Sequence, residues 1–287
     1  MTSTSLPAHP AFAAGSAAVI TGGANGIGLA VAQKLTAGGM KVMLADRDSD
    51  ALNAAAQSFG ADATVKTHLC DVSSAADMHA LRDAADAAFG NISVLTNNAG
   101  AGLNPGKPWE NPDGWQQLLD INLGGIINGV QAFVPGMIAS GAPGIVINTG
   151  SKQGITLPPG NSAYNVSKAG VKAFTEMLAH ELRSLDGCQI TAHLLIPGFT
   201  FTGMIRRFIA EKPPAAWTSE QVADFLFESI ARGDFYILCP DNDVTRDMDE
   251  KRIAWTAGDM IENRPALSRW HADFTAAFDA FMKDAPE

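Results

Sequence analysis

"AAVITGGANGIG" (17–28) decides the fold: an apolar run of strand length ends in a glycine-rich turn, and helix-forming sequence follows at once. The same order recurs along the chain. Further strand-length apolar runs are "KVMLA" (41–45), "TVKTHLC" (64–70), "ISVLT" (92–96), "GIVINT" (144–149), "QITAHLL" (189–195) and "FYILC" (235–239). Helices are expected near 26–37, 75–88, 113–139, 162–185 and 219–232, the last opened by the capping signal "TSEQ". Strands that alternate with helices imply parallel strands joined by right-handed crossovers. The expectation is therefore an α/β doubly wound, seven-stranded parallel sheet with helices on both faces and ligands at the carboxyl ends of its strands. No internal boundary splits it: residues 1–14 read as an N-terminal arm, 15–240 as one domain, and 241–287 as a C-terminal extension. Ile253, Trp255, Met260, Ile261, Trp270, Phe274, Phe278 and Phe281 anchor that extension, which is expected to pack on the domain or on a neighbouring subunit.

Composition sets the partner class. The chain has 287 residues, is 46% apolar, and carries a formal net charge of -10 with a pI near 5.0. An acidic surface disfavours nucleic acid and anionic membranes, which are themselves polyanions. Cys70, Cys188 and Cys239 lie far apart with no Cys/His cluster, so buried free thiols are expected rather than disulfides or zinc. The six histidines have no neighbours at ligand spacing, and no metal site is expected. The opening residues lack a positively charged leader, and no apolar run of membrane-spanning length is read, which together point to the cytoplasm.

The chemistry-bearing residues fall where such a sheet would gather them. Gly22, Gly26 and Gly28 let backbone approach a pyrophosphate at a helix start. Asp46, ending the second run, can accept from a ribose diol and repel a 2′-phosphate, whereas the neighbouring Arg47 could accommodate that phosphate. Asp71 and Val72 end the third run, where a carboxylate can accept from an adenine amino group and a valine can pack on its ring. Asn97, Asn98, Ala99 and Gly100 form a polar turn after the fourth. Ser151 follows the fifth run, and "SAYNVSKAG" (162–170) places Tyr164 and Lys168 one turn apart on a helical face. A cation beside a phenol stabilises phenolate and brings tyrosine within range of acid/base work. Asn122 lies in an apolar helical stretch where a buried amide needs partners, and it is also placed to hold a water.

Taken together, TGxxxGIG, Asp46, NNAG, Asn122, Ser151, YxxxK and "PGFTFT" (197–202) resemble the single-domain branch of the short-chain dehydrogenase/reductase family, over residues 15 to 240 and in the family's order. The resemblance implies a Rossmann-type fold and a catalytic tetrad of Asn122, Ser151, Tyr164 and Lys168. Ser151 would bond the substrate oxygen, Tyr164 exchange its proton, Lys168 lower the tyrosine pKa, and Asn122 hold a water. It also implies cofactor contacts by Gly22, Asn25, Gly26, Ile27, Gly28, Asp46, Arg47, Asp71, Val72, Asn98, Ala99, Gly100, Tyr164, Lys168, Pro197, Gly198, Thr200 and Thr202. By the same resemblance substrate is met by Leu103, Ser151, Gln153, Ile155, Leu157, Asn161, Tyr164, Met204, Ile205 and Phe208, with Trp217 nearby. The segment 198–218 lies beside the crevice and carries glycines and prolines at hinge points, so it is expected to act as a lid. That inventory is mainly apolar, which suits a bulky uncharged secondary alcohol or ketone, although Arg206 and Arg207 leave room for an acidic group.

The expected activity is an NAD(H)-dependent alcohol dehydrogenase or ketone reductase. The alternatives are an NADP(H)-preferring carbonyl reductase and a non-catalytic dinucleotide sensor. The long helices at 113–139 and 162–185 are, by the resemblance, a dimer interface, so a homodimer or homotetramer is expected.

Overall fold

The computed structural model describes residues 6–206 and 209–283, without the Met204 side chain. One all-parallel sheet contains β1 (Ala17–Thr21), β2 (Lys41–Asp46), β3 (Val65–Leu69), β4 (Ile92–Asn97), β5 (Gly144–Thr149), β6 (Ile190–Ile196) and β7 (Tyr236–Leu238). Their spatial order is β3-β2-β1-β4-β5-β6-β7. The order reverses between β1 and β4, so the crossovers leave in opposite directions and a crevice opens at the carboxyl ends of those strands. The helices, in chain order, are α1 (Gly26–Ala37), α2 (Ser49–Gln57), α3 (Ala75–Phe89), α4 (Pro112–Leu119), α5 (Gly125–Ser140), α6 (Gln153–Thr156), α7 (Ser162–Ser184), α8 (Gly203–Arg206), α9 (Ser219–Arg232), α10 (Arg246–Ile261) and α11 (Thr275–Lys283).

Side-chain alternation along the strands divides the core into two layers. Ile20, Leu44, Val94 and Ile147 face one side, against Val31 and Leu35 of α1 and Val222, Leu226 and Ile230 of α9. Val19, Met43, Leu95 and Val146 face the other, against Met78 and Leu81 of α3 and Val130, Phe133 and Met137 of α5. Because both faces are covered, the central strands are apolar throughout, which explains their unbroken apolar runs. Each such side chain contributes about 1.5–3 kcal/mol by leaving water.

Several expectations need correction. The helix expected over 113–139 is α4, a π-helical turn at Asp120–Gly124, and α5. The continuous stretch Pro112–Ser140 is also the one helix among the described residues long and apolar enough to cross a membrane, contrary to the reading of no such run. Half of its most apolar window is buried inside the protein, as in a core helix. Helix α2 was not expected: it is capped by Asp48, but it buries only Leu52 and Ala55, too few to produce a clear apolar period.

Within the expected arm, Phe12 is buried and meets Phe227 edge-on at 5.5 Å, and Ser93 Oγ donates to the Ala11 carbonyl at 2.7 Å. In the extension, Trp255 is buried against Phe278 and Phe281, and its indole donates to Ser268 Oγ at 2.9 Å. The expected anchors Met260, Ile261 and Trp270 are instead exposed. Cys70 and Cys239 are buried, and burial pushes both thiols up to about 12. Cys188 is only half-buried.

Candidate active site

The crevice begins at the glycine turn after β1. Gly22 and Gly26 have φ of +63° and +55°, the left-handed region that favours glycine. A Cβ on Gly22 would stand 2.8 Å from Ala99 Cα, and one on Gly28 would stand 2.7 Å from Asn98 Nδ2. Two turns distant in sequence are thus pressed together. Asn98 locks them: its backbone N–H donates to Thr21 Oγ1 at 3.0 Å, and its amide donates to the carbonyls of Thr21 and Gly22, each at 3.2 Å.

The start of α1 is left open. A side chain accepts from the first turn of α2, α3, α4, α7, α9 and α10. At α1, Asn25 makes no such bond and no acidic residue occupies the first turn, so the N–H groups there remain available to an anion. Asp46 and Arg47 share a cavity wall with Gly22, Asp71, Val72, Ala99 and Gly100. Asp46 accepts from the N–H groups of Ala24 and Asp48, each at 3.3 Å. Asp71 accepts from the Ser73 N–H at 2.9 Å and its hydroxyl at 2.7 Å, so one of its oxygens is already engaged.

Across the crevice, β4 and β5 end in a buried relay. Asn97 donates to Asn148 Oδ1 at 2.9 Å, and Asn148 donates to Thr175 Oγ1 on α7 at 3.1 Å. This fixes α7 beneath the end of β5. Lys168, 4% exposed, donates to the Thr149 carbonyl at 2.8 Å. Burial lowers its ammonium to about 8. Tyr164 lies one helical turn earlier, with the Ser151 hydroxyl near enough to favour its phenolate.

Burial raises the pKa of the phenol, and the Ser151 hydroxyl offsets that only in part. Lys168 Nζ stands 5.9 Å from the tyrosine ring centroid, and its own desolvation weakens its hold on a proton.

Asn122 is fully buried in the π-helical turn. Its oxygen accepts from the Ala101 N–H at 2.7 Å, and its amide donates to the Ala101 carbonyl at 3.1 Å and Ser167 Oγ at 3.2 Å. A Cβ on the intervening Gly100 would lie 3.3 Å from Asn122 Oδ1 and 3.8 Å from Lys168 Nζ. The π turn thus brings the amide up to the tyrosine helix.

After β6, the Pro197 carbonyl accepts from the Lys152 N–H at 3.2 Å, and Thr200 Oγ1 donates to the Gly198 carbonyl at 3.3 Å. Thr202 lies over the glycine turn, its Cβ 3.4 Å from where a Gly26 Cβ would be. The expected substrate residues divide. Ile155 packs into a core cluster with Val171 and Leu194. Asn161 is spent on structure, accepting from the Tyr164 N–H at 3.2 Å and donating to the Leu103 carbonyl at 2.9 Å. Leu103 and Gln153 are exposed, and Ile205 is half-buried. Leu157 is half-buried with a left-handed φ of 45°. Arg207, Phe208 and the Met204 side chain lie outside the described residues. Sequence reading missed Thr21, Thr149, Ser167 and Thr175, whose short hydroxyls or carbonyls act through partners distant along the chain, and also Lys152, Asp241 and Asp249.

The family model for short chain dehydrogenase matches residues 16–213. A 1-deoxy-11-beta-hydroxypentalenate dehydrogenase of Streptomyces exfoliatus is 31% identical over 263 residues, covering 89% of this chain and 94% of its own. The oxidoreductase SadH of Mycobacterium tuberculosis is 38% identical over 171 residues, or 58% of this chain, and the match spans 61% of SadH, under two thirds of its length. A crystal structure of a short chain dehydrogenase/reductase from Burkholderia phymatum in complex with NAD superposes with a TM-score of 0.78 at 32% identity, covering 88% of this chain and 96% of that one. The chain belongs to the short-chain dehydrogenase/reductase family, and its sheet is the Rossmann-like sheet of that family.

Proposed function

We propose that the protein is an NAD(H)-dependent oxidoreductase that interconverts a secondary alcohol and a ketone, acting on a bulky, largely apolar substrate of aryl or alicyclic type. The observation that carries this reading is the gathering of Ser151, Tyr164 and a buried Lys168 at the strand ends that also hold the uncapped glycine turn. The donor set fits a dinucleotide: open N–H groups at Ile27 and Gly28 suit a pyrophosphate, and Asp46 suits a ribose diol. A bound nicotinamide dinucleotide supplies the hydride chemistry, and the protein supplies position and electrostatics.

In this reading Ser151 donates to the substrate oxygen and so holds the reacting carbon. Tyr164, whose phenol burial holds above its ordinary range, gives its proton to a carbonyl oxygen during reduction. Oxidation runs the same transfer backwards and needs the phenolate, which the Ser151 hydroxyl and the Lys168 cation both favour. Asn122 keeps the backbone at Ala101 in place beside Lys168. The exposed Val166 and Met177 on α7 suit burial against a second copy in a homodimer or homotetramer.

The test is absorbance at the nicotinamide band for the wild type and Tyr164→Phe, with each dinucleotide, over a panel of bulky secondary alcohols and ketones. Turnover with NAD that Tyr164→Phe lowers by about 10³-fold is expected. Dinucleotide binding without turnover would favour a sensor. One observation keeps the NADP(H) reading in view: Arg47 is exposed beside Asp46, where it could meet a 2′-phosphate.

A further inference from the structure

Lys152 immediately follows Ser151, yet its side chain turns away from the crevice. It reaches Asp249 of α10 at 2.6 Å and Asp241 at 3.5 Å. The three side chains are only 13%, 6% and 4% exposed for Lys152, Asp241 and Asp249. An ion pair this dry is held rigidly, because neither charge can leave its partner for water.

Each member is tied to a different segment. The Lys152 carbonyl accepts from the N–H groups of Ile155 and Thr156, each at 3.0 Å, and thereby starts α6. Asp241 accepts from the Phe199 N–H at 3.2 Å through one oxygen, and from the Asp243 and Val244 N–H groups at 3.2 and 2.8 Å through the other. Asp249 belongs to the C-terminal extension, where Arg252 is its second cation at 3.9 Å. Gly198 sits against this cluster: a Cβ there would lie 2.7 Å from Asp241 Oδ2 and 3.0 Å from Lys152 Nζ. Close approach of the ion pair, not backbone conformation, is what demands glycine at this position.

We propose that Lys152 is a positioning residue through which the C-terminal extension, by way of Asp249, holds Ser151 and the Pro197–Thr202 segment in their working places. The catalytic part of this inference rests on the oxidoreductase reading above; the mechanical part does not. Burial holds the Asp249 carboxyl above its usual range, with Lys152 and Arg252 pulling against that shift and Asp241 adding to it.

Asp249→Asn and Lys152→Met test the proposal by hydrogen exchange and kinetics together. Both variants are expected to raise amide exchange over residues 151–157 and 197–203 about tenfold while leaving 17–28 unchanged. They are expected to lower kcat about 10²-fold, as a displaced catalytic group does. The double variant Lys152→Met/Asp249→Leu removes both charges, so its Tm should return toward that of the wild type while kcat stays low. Unchanged exchange in the two segments would overturn the clamp. So would a kcat that recovers along with Tm in the double variant, because that marks a purely structural pair. A wild type that turns over no substrate would sink the oxidoreductase reading alone, and the exchange data would still decide the clamp.

Discussion

The two sides of the crevice are built from different materials. On the β1–β2 side, shape comes from backbone: two left-handed glycines, an uncapped helix start and two turns in contact. On the β5–β6 side it comes from buried polar side chains that reach across the fold, such as Lys168 to Thr149 and Lys152 to Asp249. A backbone site tolerates no added atoms, whereas a side-chain site tolerates them but fails when a partner is lost.

That contrast is breakable by substitution. Gly28→Ala should have the largest effect on the first side, because its Cβ would meet the Asn98 amide and, closer still, the Gly22 carbonyl. A cost of about 3 kcal/mol is expected in chemical denaturation, together with loss of dinucleotide binding. A fully stable variant would show that the two turns can part.

Asn122→Leu probes the second side, since it adds bulk while removing the partners of both Ala101 backbone groups. A loss of between about 2 and 3 kcal/mol is expected from the unpaired groups. A smaller loss than for Gly28→Ala would agree with the contrast.

Lys168→Met sharpens it through pH. Because the folded protein holds this ammonium at about 8 against an ordinary 10.5, it binds fewer protons than the unfolded chain between those values. The charge therefore destabilises the fold fully below about pH 8, and the penalty is relieved as pH rises toward 10.5. Relative to the wild type, the Met variant should look most stable at pH 7 and lose about 2 kcal/mol of that standing by pH 10. A pH-independent difference would place the lysine in water.

Asp46→Ala should have the smallest effect, because this carboxylate bonds two local N–H groups across the open cavity. A shift of about tenfold in the NADP-to-NAD ratio of kcat/KM, about 1.4 kcal/mol, is expected. No shift would transfer the choice of cofactor to Arg47.

Legibility in the sequence follows the same division. The strands and the helices α1, α3, α7 and α9 were readable from apolar period and turn residues, and β1, β5, α1 and α9 have the expected limits. Helix α2 was not, having too few apolar residues to mark a face, and the π turn at Asn122 escaped because one wider turn inside a continuous helix leaves the apolar pattern of "LLDINLGG" helical. Ser151, Tyr164 and Lys168 could be named from motif order, but the direction of the tyrosine pKa could not, since it depends on how deeply α7 is covered.

Residue order along the chain was enough to specify a parallel sheet, the strand ends where chemistry gathers, and the glycines that shape the first turn. Those features depend on neighbours a few positions away, through period and backbone freedom. The burial of Lys168, the locking of Asn98 to Thr21 and the joining of Lys152 to Asp249 are set by packing. Desolvation and ion pairing depend on which distant segments the fold brings together, and adjacency in the chain carries no record of that.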